Sequence, residues 1–221
     1  IGAITSFIEK YSNVVEIEEI IFNFNSMEHY VSLKNSIMGK MTYNSIQPLL
    51  FSIKAMLPNA KVSTCHSGYK YHIRNAVVDI MFTLEDIYPK EFTVDYSDAN
   101  DTSVVSKISF VDKGVDQALL ITGDSGVAQC TEMLKKYSDN ELASTFVQTV
   151  HHGIGYATYE LYGKMNPEVI LWPASVARVS SVLNQAQNRY FVEEDSVKEI
   201  VVSDYGTRAF ALPYTAPTGL T

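Results

Sequence analysis

Two short apolar runs end in the same abrupt way, and together they restrict the folds open to this chain. The first is Ala118-Leu-Leu-Ile-Thr-Gly-Asp-Ser125; the second is Val147-Gln-Thr-Val-His-His-Gly153. Each reads as a buried strand that stops at polar residues, with a glycine to turn the backbone. One helical stretch, residues 125–137, separates them. One such edge could arise by chance; two in tandem, separated by one helical stretch, read as one face of a metal-centred site. An aspartate then projects from one tip and a histidine pair from the next.

The rest of the chain fits a mixed sheet covered by helices. Helical spacing of Ile4, Phe7, Ile8 and Tyr11 predicts a helix over residues 2–11. Val15 to Phe24 reads as a strand, and Met27 to Met56 as helical with a break near Gly39. Lys61 to Thr64 is a short strand. Tyr69 to Ile73 and Ala76 to Phe82 form a hairpin around Arg74-Asn75. Residues 84–102 read as a long loop, of the kind that is usually functional or mobile. Strands at Ser103 to Val111, Gln117 to Thr122, Phe146 to Val150 and Val169 to Trp172 follow, with helices over 156–164 and 175–188. Glu199 to Ser203 and Thr207 to Leu212 read as a last hairpin. The fold class is therefore α/β (α+β), one domain over residues 1–212 with a loose tail from Pro213 to Thr221. A division near residues 58–60 is the less favoured arrangement, because the first part alone has little core.

Composition excludes several functions. With 46% hydrophobic residues, 14 Tyr and 10 Phe, the chain can bury a sizeable core. Its net charge of −8 and lack of a Lys/Arg cluster argue against a general nucleic-acid binder. No apolar run is long enough for a membrane helix. The start, Ile1-Gly-Ala-Ile4, shows no signal-peptide pattern, which leaves the compartment open. Two cysteines, Cys65 and Cys130, are too few for a disulfide framework; they could pair, but read first as buried thiols. No Gly-rich phosphate loop, Cys-x-x-Cys pair or Gly-x-Ser-x-Gly elbow is present.

Asp124 either binds a metal from its strand end or caps helix 125–137. His151 and His152 project to opposite sides of an extended chain, so one can meet a metal while the other meets substrate. Carboxylate and imidazole together suit zinc, manganese or iron rather than calcium. His66, in Cys65-His-Ser-Gly68, either lines the same pocket or is a surface turn residue. Asp101 precedes a strand and either shapes a turn or bonds to the edge of the site. His29 and His72 read as surface or partly packed residues.

The segments Asp101-Thr-Ser-Val-Val105, Leu119-Leu-Ile-Thr-Gly-Asp124 and Val150-His-His-Gly153 resemble the C-terminal part of a metallo-β-lactamase-superfamily domain. The nearest branch is the one shared by extracytoplasmic domains of DNA-uptake channel proteins and by phosphorylcholine esterases. The likeness runs over roughly residues 60–175. It implies an αββα sandwich with a metal site, often of two metals, at one sheet edge, and hydrolysis by a metal-bound hydroxide. It implies metal ligation by Asp124 and His152, and substrate contact or catalysis by His151. It also implies a bacterial setting, on either side of the cytoplasmic membrane.

This sequence departs from that pattern in two places. The family's His-x-His-x-Asp-His motif occurs nowhere in the 221 residues, and no histidine follows His152; the matching strand ends in Leu171-Trp-Pro173. The start Ile1-Gly-Ala-Ile4 matches what usually follows the missing motif, so the domain is expected to be incomplete at its N-terminus. Such a piece is expected to bind metal weakly or not at all, to be inactive itself, and to self-associate through exposed strand edges. The expected activity of the intact protein is metal-dependent hydrolysis of a phosphoester-type substrate with zinc or another divalent transition metal (Mn/Fe). A second reading is a non-catalytic binding module, in which Phe82, Tyr88, Phe92 and Tyr96 form a platform for a glycan or a choline-like cation. Against it, the same aromatics can simply cover the core.

Overall fold

A computed structural model describes residues 2–24, 31, 37–87, 99–112 and 115–217. These divide into two compact units: described residues up to Cys65 form one, and those from His66 onward the other.

In the first unit, helix α1 (Gly2–Tyr11) and strand β1 (Glu19–Phe22) are followed by helix α2 (Ile37–Met56) and strand β2 (Lys61–Thr64), which pairs in parallel with β1. Ile8 of α1 and Leu49, Ile53 and Leu57 form the core, with Ile17, Ile20, Phe22 and Phe24 packed around it. Among the described residues no break occurs at Gly39, which lies inside α2, and the helix runs unbroken from Ile37 through Pro48 at the loss of one intrahelical hydrogen bond. The helical reading of residues 32–36, and His29, lie outside the described residues.

The second unit is built on a seven-stranded sheet of order β3-β4-β5-β6-β7-β8-β9. Strands β3 (Lys70–Ile73), β4 (Ala76–Phe82), β5 (Val105–Asp112) and β6 (Val115–Ile121) are antiparallel neighbours. Strands β7 (Phe146–Gln148), β8 (Val169–Trp172) and β9 (Glu199–Val202) add in parallel. Parallel neighbours need crossovers. These are supplied by α3 (Val127–Lys136) with α4 (Asp139–Leu142), then α5 (Tyr159–Met165), then α6 (Val176–Val182) with α7 (Tyr190–Glu193). Strand order follows chain order, so crossovers of one hand stack the helices on one face. Leu120, Val147, Ile170, Trp172 and Val202 point into that layer against Cys130, Met133, Leu161, Tyr162, Met165 and Phe191. The protein is thus mixed α/β. No described helix is long and apolar enough to cross a membrane.

Two elements depart from the sequence reading. The last hairpin does not form: β9 pairs in parallel with β8, and residues 207–212 are not a strand. Phe210 instead packs edge-on against Phe146 and Tyr214. Tyr214, in the segment expected to be loose, is tied down by the Gln117 amide, which accepts from its N–H and donates to its carbonyl. The long loop also holds more structure than expected, with helical turns at Leu84–Ile87 and Ala99–Thr102.

Candidate functional site

Asp124 follows β6, His151 and His152 follow β7, and Pro173 follows β8. Because these three strands are parallel neighbours, their C-terminal ends lie side by side, the position at which α/β sheets bind ligands. The two strand tips do meet. Nε2 of His152 lies 3.3 Å from Oδ1 of Asp124, and both side chains remain partly open to solvent.

The loop carrying the histidines is held in a strained form. His151 (φ 44°), His152 (φ 56°) and Gly153 (φ 79°) are all left-handed. A non-glycine residue pays roughly 1–2 kcal/mol for that conformation, so the surroundings must enforce it. They do so with a set of hydrogen bonds. The His151 N–H donates to Gly123 O at 3.1 Å. The Val150 N–H donates to the Tyr162 hydroxyl at 3.1 Å, and burial drives the pKa of that phenol up. The Trp172 indole N–H donates to His152 O at 2.9 Å, and Asn188, fully buried, donates to Gly153 O at 2.7 Å. Gly153 is required on steric grounds too, since a Cβ there would lie 2.5 Å from Cζ2 of Trp172.

The hydrogen bonds also identify the tautomer of His152. Its Nδ1 lies 2.6 Å from Pro173 O. A carbonyl oxygen only accepts, so Nδ1 carries the hydrogen. In the neutral ring, Nε2 then presents a lone pair to a carboxylate oxygen at 3.3 Å. Two lone pairs at that distance repel unless a cation, either a proton or a metal ion, lies between them.

His151 has a different environment. Its ring stacks on Tyr156 at 4.7 Å, and its Nδ1 is buried with no hydrogen-bond partner among the described residues. The expected extended chain with the two rings on opposite sides is not what forms: β7 ends at Gln148, both histidines are left-handed in the turn that follows, and their rings lie 6.0 Å apart edge to face, in different environments.

The other candidates fall elsewhere. Asp124 is not the cap of α3: the N-cap is Gly126, which has no side chain to offer. That role belongs to Asp101, buried, whose Oδ1 accepts from the Gln129 N–H at 3.0 Å. Gly126 is matched to it, since a Cβ there would lie 2.4 Å from the same oxygen. Asp101 thus acts on the helix that follows Asp124. His66 pairs with Glu85 at 3.1 Å and meets Tyr69 edge-on, while His72 is exposed on β3. Phe82 is buried in the core, so it offers no platform, and Tyr88, Phe92 and Tyr96 lie outside the described residues. Among the described residues no group of three or more His, Cys, Asp or Glu side chains is placed to hold a metal ion.

Sequence reasoning missed Trp172, Pro173, Tyr156 and Asn188. The available signal was the chain's single tryptophan, followed by proline at the end of a strand beside the histidine strand. No protein-family model matches this chain, and no curated protein is significantly similar to it.

Proposed function

We propose that the protein is a metal-dependent hydrolase of metallo-β-lactamase type, acting on phosphoester-type substrates, with Asp124 and His152 as two ligands of a divalent transition metal. The observation that carries this reading is the apposition of His152 Nε2 and Asp124 Oδ1 at 3.3 Å, with Nδ1 already committed to Pro173 O. Two ligands on one tetrahedral zinc ion, each bonded at about 2.0–2.1 Å, lie about 3.3–3.4 Å apart. Imidazole with carboxylate also suits zinc, manganese or iron in kind.

In number the donor set falls short. Catalytic zinc takes three protein ligands, and this pair supplies two. Among the described residues the pair is therefore expected to hold a metal weakly and to fall short of a complete catalytic centre. A metal held here supplies a bound water of lowered pKa. His152 is oriented by Pro173, Asp124 provides the negative charge, and His151 is the group assigned to substrate. The sandwich architecture of that superfamily belongs to the same proposal. So does self-association through the edge strands β3 and β9.

Titration calorimetry with Zn²⁺ and Mn²⁺ tests the assignment. The expected result is one weak site, lost in both Asp124→Ala and His152→Ala, with no turnover of a chromogenic phosphodiester. Metal binding unchanged in either variant would overturn it.

A further inference from the structure

We infer that Trp172 is a positioning residue: through the backbone of His152 it selects which ring nitrogen faces Asp124. The inference deepens the metal-site reading and rests on it for its purpose, though its geometry stands independently of any metal. Trp172 and Pro173 form a clamp at the end of β8. The indole N–H donates to the carbonyl of His152 at 2.9 Å, while the carbonyl of the next residue, Pro173, accepts from the ring Nδ1 of the same histidine at 2.6 Å. One dipeptide therefore grips His152 at both its main chain and its side chain. The benzo edge of the indole also fills the space under Gly153, so the left-handed run cannot relax in that direction.

The consequence is chemical. Imidazole offers one lone pair when neutral. With Nδ1–H bound to a carbonyl, that lone pair is on Nε2, the nitrogen 3.3 Å from Asp124. If the carbonyl of His152 were released from the indole, the peptide could rotate, Nδ1 would lose Pro173 O, and both tautomers would be populated. A ligand histidine without its orienting partner typically loses about 10–100-fold in metal affinity.

The experiment uses the full chain with ¹⁵N-labelled histidine. Trp172 is almost fully buried, so Trp172→Phe risks the fold. The second variant therefore carries benzothienylalanine at position 172, which keeps the bicyclic shape and replaces the N–H by sulfur. In the parent, ¹⁵N spectra above the titration range of the ring are expected to show His152 as the Nδ1–H tautomer. The isostere is expected to convert this to a mixture and to weaken Zn²⁺ binding about 10–100-fold. A parent in the Nε2–H form, or an isostere with unchanged tautomer, would overturn the inference. A fixed Nδ1–H tautomer in a parent that binds no metal sinks the metal reading and leaves the positioning role in place. Metal bound through Asp124 and His152 with mixed tautomers does the reverse.

Discussion

Replacing Gly153 by alanine tests the loop that presents the histidines. Two costs add at this position. The backbone is left-handed at φ 79°, where an L side chain costs roughly 1–2 kcal/mol. The new Cβ would also lie 2.5 Å from Cζ2 and 2.9 Å from Cε2 of Trp172, which is only 1% exposed and packed against Phe191. A buried ring in a filled core cannot move aside freely, and overpacking of this kind costs about 1–3 kcal/mol. The expected total is about 2–5 kcal/mol. Gly68 and Gly206 separate the two terms. Both have φ 87°, and a Cβ at either meets nothing within 4 Å. Gly68→Ala and Gly206→Ala therefore carry the backbone cost alone, and Gly153→Ala should exceed them by about 1–3 kcal/mol. Urea unfolding followed by the fluorescence of the single tryptophan measures all three on one scale. A Gly153→Ala protein no less stable than the Gly206→Ala protein would refute the packing of Trp172 beneath the loop.

Two further outcomes follow from the same region. Asp101→Ala removes the buried cap of α3 and should cost about 1–2 kcal/mol; Gly126→Ala should also destabilise, but less so when Asp101 is already alanine, and a double-mutant cycle with additive effects would contradict their contact. Burial, with a smaller effect from Asp101, pushes the Cys130 thiol up to about 12. It should resist alkylation in the folded protein. Because the folded state holds this proton more tightly than the unfolded chain, the resulting stability is complete below pH 9 and is lost as pH rises towards 12. Urea midpoints of the parent and of Cys130→Ala between pH 8 and 11 check the sign: the parent should lose more.

Periodicity and punctuation were enough to place the strands that carry the candidate site. Apolar runs ended by Gly123-Asp124 and by His151-His-Gly153 put those side chains at strand tips, while the parallel pairing that brings the tips together is seen only in the assembled sheet. Local sequence could not say which acid caps α3. Asp124 has the right residue type at nearly the right place, yet Asp101, distant in sequence, takes the role because the chain returns it beside Gly126. The last strand was misassigned for a related reason. Glu199–Val202 reads equally well as one arm of a hairpin, and only the open edge of β8 decides that it pairs there in parallel.

By itself, then, the sequence determined at which end of which strand the candidate residues stand, since burial pattern and turn residues are local properties. Tertiary structure decided what those residues can do. The 3.3 Å approach of Asp124 to His152, the hydrogen on Nδ1 and the left-handed backbone beneath it all depend on Pro173, Trp172 and Asn188. Those residues come from other parts of the chain and are brought to the loop only when the sheet assembles and its helices pack.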